Sequence, residues 1–400
     1  VARRTRPGRA PSIVTPVGAG VAALGVAAWV GAHLTGWDEL AFVAAICAVA
    51  ALVAVVWTLG RPRLEVELML DPKRVEVGGS AVARIHVRNV AARRMRPLRM
   101  EVAVGRAVAG VGIGSLKPGA ARSEWLPVPT GRRAVIPVGP VTSVRGDPLG
   151  LLRREVTWTG RYTLGVEELF VHARTVDVPS LTAGRVRDLE GESTNQRSPH
   201  DIAFHSLREY VPGDDLRHVH WRTTARQVSD DILMVREFVD TRRTSLALLV
   251  SLRAEDYGSD DEFELAASVV ASIGLRCLRD QEDLVFVAGA AVVPSQGQQR
   301  FADSVSRLER GADPSPPATV TRFADRVSSR ASVVVLVAGS GADIPTLRAA
   351  TDQLDANVHP VVVRAVEGAE PTLRMSRGVA LAEVGELAHL PRLIRSVGMT

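Results

Sequence analysis

Two apolar runs stand near the start of the chain. Residues 13–34, IVTPVGAGVAALGVAAWVGAHL, and 40–59, LAFVAAICAVAALVAVVWTL, contain no Asp, Glu, Lys or Arg. About 20 apolar residues in a helix cross the hydrocarbon layer, and a backbone in lipid must satisfy its own hydrogen bonds. Both runs are predicted helices. Pro16 falls in the first turn, where a missing N–H costs little. Neither run has the polar face of a soluble surface helix. A cleaved signal peptide would account for the first run only. The reading is a transmembrane hairpin over 13–60.

From 64 to 178 the period drops to two. Leu64-Glu65-Val66-Glu67-Leu68, Val82–Val87 and Leu98–Val104 alternate as half-buried strands do. Turns at Gly78-Gly79, Pro118-Gly119, Gly139-Pro140 and Asp147-Pro148 break them. Several short strands spaced this way predict a β-sandwich-like domain over 61–179. Residues 180–206 are polar and irregular and read as a linker or loop. Beyond 240, strands at 245–251, 284–290, 333–338 and 358–364 alternate with helical stretches at 262–278, 299–309, 318–330 and 344–355. That alternation predicts right-handed crossovers and a parallel sheet covered on both faces. The expectation is a doubly wound α/β domain over 241–400, with a last helix at 383–396 interrupted near Pro391. Ligands in such folds sit at the carboxyl ends of the strands.

Charge orients the hairpin. Arg3, Arg4, Arg6 and Arg9 precede the first run, Arg61 and Arg63 follow the second, and the short connection carries only Asp38 and Glu39. Basic flanks stay in the cytoplasm. The basic N-terminus, 1–12, and the long C-terminal part are thus expected on the cytoplasmic side of the membrane. Trp29 and Trp37 belong near the outer interface and Trp57 near the inner one. The chain has a net charge of +5 and a pI near 9.8, and four of those charges lie in residues 1–37. The rest is nearly neutral, which argues against a nucleic-acid surface. All basic residues but Lys73 and Lys117 are Arg, a bias of GC-rich, actinobacterial-like coding. The initial Val is read as a non-ATG start codon. Cys47 and Cys277 are too few for a disulfide framework.

The densest chemistry lies between the two soluble domains, at 207–240. Pro212-Gly213-Asp214 is a turn, and Asp214 or Asp215 is placed to cap a short helix through Trp221 and Ala225. Arg208, Arg217, Arg222 and Arg226 lie close in sequence to Glu209, Asp214 and Asp215. Arginine forks suit bidentate carboxylate pairing, so the motif is expected to be either an ion-pair network stapling two domains or the surface that meets a partner. The pattern Arg208, Tyr210, Pro212, Gly213, Asp214, Arg217, Trp221, Ala225 and Arg226, followed by the strand Leu233–Phe238, resembles the signature of the domain of unknown function 58 family. Asp147-Pro148-Leu149-Gly150-Leu151-Leu152 resembles a second motif of that family, with Leu149 for the usual Phe. The resemblance implies a bacterial membrane protein with a von Willebrand factor A-like domain. It also implies a MoxR-type AAA ATPase as partner, sometimes with a transglutaminase-like membrane protein. No enzymatic activity follows from it.

Von Willebrand A domains often hold a divalent cation with DxSxS after the first strand. The corresponding stretch is Ser251-Leu252-Arg253-Ala254-Glu255. Ser251 replaces the first Asp, and Arg253 puts a positive charge where a hard cation wants oxygens. No metal is expected, although Asp256, Asp260, Asp261 and Asp343 offer oxygens from elsewhere. His200, His205, His218 and His220 lack an evident third convergent ligand. No phosphate-binding glycine loop or GxSxG serine is present, so no cofactor or catalytic residue is assigned. Two hypotheses stand. One is a non-enzymatic, membrane-anchored interaction protein that docks a MoxR-type ATPase or another envelope-assembly partner. The other is a metal-dependent hydrolase using Asp214, Asp215 and His218 or His220. A transport or sensor role for the helices is weaker, because they carry no intramembrane charge.

Overall fold

The computed structural model describes residues 14–58, 63–158, 166–181, 203–211, 219–225, 233–239, 245–327, 331–355 and 358–398. The chain divides into two compact units, Val1–His172 and Ala173–Thr400.

The first unit opens with α1 (Pro16–Thr35) and α2 (Asp38–Thr58), where the apolar runs place them. Thr15 caps α1 by accepting from the Gly18 N–H at 3.0 Å, and Gly36 ends it at φ 71°. Both helices are long and apolar enough to cross a membrane, and both remain largely exposed. That is consistent with a membrane protein.

Nine strands follow: β1 (Leu64–Asp71), β2 (Arg74–Glu76), β3 (Ala81–Asn89), β4 (Leu98–Val104), β5 (Ala107–Ile113), β6 (Ala121–Val128), β7 (Ala134–Gly146), β8 (Arg153–Trp158) and β9 (Glu167–His172). One sheet has the order β1-β3-β6, the other β2-β9-β7-β4-β5 with β8 added on β7. Alternation decides which side chains turn inward. Val66, Ile85 and Val87 from the small sheet meet Met100, Val102, Val138 and Leu169 from the large one in a single core. Full burial of such a side chain contributes about 1.5–3 kcal/mol.

The feet of the helices are tied to this β unit. Between β7 and β8 the Asp147–Leu152 segment forms a tight turn. The buried Asp147 carboxylate accepts from the N–H groups of Leu149 (2.9 Å) and Leu152 (2.5 Å). That turn receives α1: the Thr15 N–H donates to the Leu151 carbonyl at 3.0 Å, and the Thr15 hydroxyl to the Gly150 carbonyl at 2.6 Å. Gly18 lies so close to the Leu151 carbonyl that a Cβ would overlap it. At the end of α2, the Arg96 guanidinium stacks on the Trp57 ring at 5.2 Å and donates to the Trp57 carbonyl at 3.5 Å.

The second unit holds β10 (Ala203–Glu209), α3 (Trp221–Thr224), β11 (Met234–Val239), β12 (Ser245–Val250), α4 (Asp260–Arg279), β13 (Asp283–Ala288), β14 (Ala291–Val293), α5 (Gln298–Ser306), α6 (Pro317–Val327), β15 (Val333–Gly339), α7 (Ile344–Thr351), β16 (His359–Ala365), β17 (Thr372–Ser376), β18 (Val379–Val384) and α8 (Leu390–Val397). Seven strands form a mixed sheet in the order β14-β13-β12-β15-β16-β18-β17. β13, β12, β15, β16 and β18 run parallel, and the edge strands β14 and β17 are antiparallel. Both faces are covered. Leu246, Leu248 and Val250 join one core with Val269, Val270 and Ile394, while Ala247 and Leu249 join another with Val320 and Leu347.

Three boundaries differ from the sequence reading. Residues 173–181 belong to the second core through Ala173, Val178 and Leu181, and Val176 N–H donates to Ser272 at 3.1 Å. The alternation of β9 ends just before them, but their apolar side chains have no period to reveal where they pack. The polar stretch 180–206 gives way to a strand at Ala203. The tail 383–396 is not one helix: residues 383–384 end β18, and α8 starts at Leu390 with Pro391 in its first turn. Pro391 begins this helix rather than interrupting it, because the first turn needs no N–H from it.

Candidate functional site

The signature segment builds a small structure on β11. β10 and β11 pair antiparallel with Glu209 opposite Met234, and the Tyr210 N–H extends the ladder to the Leu233 carbonyl at 2.8 Å. Val219 bridges Val235, and the His220 N–H donates to the Met234 carbonyl at 2.7 Å. α3 then starts at Trp221. Its cap is His220, whose ring Nδ1 accepts from the Thr223 N–H at 3.2 Å and lies 2.8 Å from the Thr223 hydroxyl. The Thr224 hydroxyl accepts from the Met234 N–H at 3.0 Å, closing the turn onto β11.

This corrects the expected cap. His220, adjacent to the helix, performs the role assigned to Asp214 or Asp215. An imidazole nitrogen accepts as a carboxylate does, and sequence preference for Asp at a cap hid it. Trp221 is 64% exposed and Ala225 is exposed, whereas Tyr210 is half-buried. Arg208 lies in β10. Pro212, Gly213, Asp214, Asp215, Arg217, His218 and Arg226 lie outside the described residues, and with them the charged core of the expected ion-pair network.

The carboxyl edge of the α/β sheet is the other candidate. Ser251 follows β12 directly. Its hydroxyl donates to Asp256 at 2.5 Å, and its carbonyl accepts from the Tyr257 hydroxyl at 2.7 Å. Asp256 is buried, and burial raises its carboxyl above the ordinary range despite the Ser251 hydroxyl and the Arg253 charge. Arg253 pairs with Glu255 and lies 3.9 Å from Asp256. Next along the edge, Glu262 accepts from the Gly258 N–H (2.8 Å), the Ser340 hydroxyl (2.8 Å) and the Ser340 N–H (3.2 Å). Arg364 donates to the Ser340 carbonyl at 3.0 Å and pairs with Glu383 at 2.5 Å. Arg310 donates to the carbonyls of Ala254 (2.9 Å) and Tyr257 (2.6 Å) and pairs with Asp260 at 2.9 Å.

A hard cation needs several convergent anionic oxygens. Here the carboxylates at the end of β12 are turned onto a hydroxyl, a guanidinium and backbone donors instead. The donor set at Ser251, Arg253 and Glu255 does not fit a divalent ion. Among the described residues no three His, Cys, Asp or Glu side chains converge as metal ligands. Sequence reasoning placed Ser251, Arg253 and Glu255 at this edge but missed Glu262 and Ser340, which are remote in sequence. The capping position of Ser259, whose hydroxyl accepts from the Glu262 N–H at 3.0 Å, was the available signal.

A pair of apolar helices, a two-sheet β unit and a mixed α/β unit make up the chain, and the helices are consistent with a membrane protein. Residues 206–385 match the family described as protein of unknown function DUF58. No curated protein matches the chain. Among solved structures, the CARDB domain of the PF1109 protein from Pyrococcus furiosus is 17% identical, with a TM-score of 0.20 over 28% of this chain and 94% of that one. The alkylpurine DNA glycosylase AlkC of Pseudomonas fluorescens is 14% identical, with a TM-score of 0.17 over 35% of this chain and 47% of that one. The sporulation control protein Spo0M of Bacillus subtilis is 13% identical, with a TM-score of 0.17 over 33% of this chain and 56% of that one. At these scores the likenesses carry no argument about this chain.

Proposed function

We propose that this chain is a non-enzymatic, membrane-anchored interaction protein of the bacterial inner membrane. Its two helices span the bilayer with both flanks in the cytoplasm, as the Arg residues at 3–9 and 61–63 favour. Its α/β unit is a von Willebrand A-like domain with a degenerate metal position. It docks a MoxR-type AAA ATPase, the partner that the family resemblance implies, or another envelope-assembly component.

The observation that carries this reading is Trp221. It stands 64% exposed at the start of a turn that His220 and Thr224 already complete internally. Tryptophan is enriched among the few residues that carry most of the binding energy of protein interfaces. The engagement of His220 Nδ1 in the cap weighs against its use as a metal ligand in a hydrolase.

The test is co-purification of the full-length chain in detergent with the MoxR-type ATPase of the same cell. Trp221→Ala and Arg217→Ala are expected to weaken capture at least tenfold while leaving thermal stability unchanged. Capture that is undiminished in both variants would sink the assignment of the motif as a docking surface.

A further inference from the structure

Two loops at one end of the β unit are held together by a single amide. Asn89 ends β3 and is 1% exposed. Its side-chain NH2 is shared among the carbonyls of Arg93 (3.0 Å), Leu116 (3.1 Å) and Lys117 (3.3 Å), and its Oδ1 accepts from the Ala91 N–H at 3.0 Å. Buried Met95 and Leu116 bridge the same two loops. The Val90 N–H donates to the Arg63 carbonyl at 3.1 Å, so the residue before β1 joins them.

What this end displays is basic. Arg63, Arg93, Arg94, Arg96 and Lys117 are exposed, and residues 59–63, 90–97 and 114–120 contain no Asp or Glu. Among the described residues none of the five pairs with a carboxylate. Arg94 donates to the Ser115 hydroxyl at 3.0 Å, and Arg96 lies on the Trp57 ring, which puts the cluster at the end of α2. Val90, 47% exposed, adds an apolar side chain beside them. The opposite end of the same strands mixes its signs: Lys73 pairs with Glu167 at 3.4 Å, with Asp71 and Glu76 nearby in sequence. Mixed signs are the ordinary state of a protein surface, and a cluster of one sign creates a field that recruits its opposite.

We propose that this basic end of the β unit rests on the anionic surface of the cytoplasmic leaflet and holds the lipid headgroups collectively, by charge. This rests on the membrane-spanning reading of α1 and α2. Charge and place together select the partner. If α2 spans, Trp57 belongs at headgroup level, and Arg96 on its ring belongs there too. An anionic leaflet attracts basic residues within a Debye length, about 8 Å at physiological salt. A cluster of about four to eight basic residues on the cytoplasmic side of a spanning helix has the composition that anionic lipids attract. Here the cluster is assembled from three separate segments, and the buried Asn89 amide is the residue that positions two of them.

The chain supplies its own probe, because Lys117 lies in the cluster and the other lysine, Lys73, lies at the opposite end of the β unit. The test is the rate of amine acylation at each, read by peptide mass spectrometry. The full-length protein is placed in nanodiscs of dioleoyl phosphatidylcholine, alone or in an equimolar mixture with dioleoyl phosphatidylglycerol. Phosphatidylglycerol is expected to slow Lys117 relative to Lys73 at least about fivefold, and high salt to restore it. Each charge removed is expected to weaken the contact about fivefold, so Arg93→Gln/Arg94→Gln loses the slowing. Arg93→Lys/Arg94→Lys keeps it, as does Arg106→Gln in the turn at the far end of β4. The salt response of the unaltered protein covers the case in which the glutamine pair fails to fold. A Lys117 rate indifferent to phosphatidylglycerol, slowing that persists in the folded glutamine pair, or protection that ignores salt overturns the surface. Alkaline extraction of cell membranes reads the hairpin separately. Wild-type protein released by the wash would sink the membrane reading. Protein that stays in the pellet while Lys117 ignores lipid charge would sink only the surface.

Discussion

Ser251 donates its hydroxyl to the buried Asp256 carboxylate at 2.5 Å, across the loop that leaves the first parallel strand. Removing the acceptor with Asp256→Ala leaves the Ser251 hydroxyl buried without it, which is expected to cost about 1–3 kcal/mol. The pH dependence has a definite sign. Burial raises the folded-state carboxyl, so the folded chain holds a proton that the unfolded chain has released. Stability from this group is full below the ordinary Asp value of about 3.9 and declines as pH rises through the raised one. Asp256→Asn should remove that decline in urea unfolding measured across pH 4 to 7. A slope unchanged by the substitution would refute the assignment.

Glu262 behaves oppositely. Burial pushes its carboxyl up, but the donors from Gly258 and Ser340 outweigh it and hold it below the ordinary glutamate range. Its contribution is therefore present above the unfolded value and lost as pH falls through the depressed one. Glu262→Gln should cost about 1.5–3 kcal/mol at neutral pH, as hydrogen bonds to charged groups do. The deficit should shrink on acidification. A deficit that grows in acid would contradict this sign.

The cap on α3 is separable from the exposed ring beside it. His220→Ala removes the acceptor for the Thr223 N–H and should cost about 1 kcal/mol, while His220→Asn retains most of it. Trp221→Ala, at an exposed position, should change stability by no more than about 0.5 kcal/mol. Hydrogen exchange of the Thr223 amide distinguishes them: faster in His220→Ala, unchanged in Trp221→Ala.

Gly18 is required where α1 meets the β7–β8 turn. A methyl group there overlaps the Leu151 carbonyl, so Gly18→Ala must move the helix end away and loosen the bonds from Thr15. Alanine ordinarily strengthens a helix by up to about 1 kcal/mol relative to glycine. Here the expected outcome is the reverse, a lower melting temperature in detergent. A cross-link between cysteines placed at positions 15 and 151 should form less readily in the variant.

Much of this architecture is written in local pattern. The apolar runs place α1 and α2 to within a few residues because an uninterrupted apolar run of that length reads as a helix without tertiary help. Strands β1, β3 and β4 follow from alternation, and β12, β15 and β16 from unbroken apolar stretches that only a sheet covered on both faces can bury. The edge hairpin β17–β18 was not legible: Thr372–Ser376 is polar and half-exposed, so it lacks a period that signals burial. The Glu262–Ser340 contact joins residues 78 apart in sequence and has no local trace. The same limit explains the cap at α3. A histidine acceptor is visible only when its ring is seen to meet the Thr223 amide.

The two tethers at the helix feet have a mechanical consequence. A single contact, Thr15 on Leu151 or Arg96 on Trp57, would let the β unit swivel at the foot of the helices. Two contacts at different points remove that freedom. Any torsion or tilt of the helical pair becomes a rigid rotation of the β sheets, so the hairpin acts as a keyed shaft rather than a tether of variable angle.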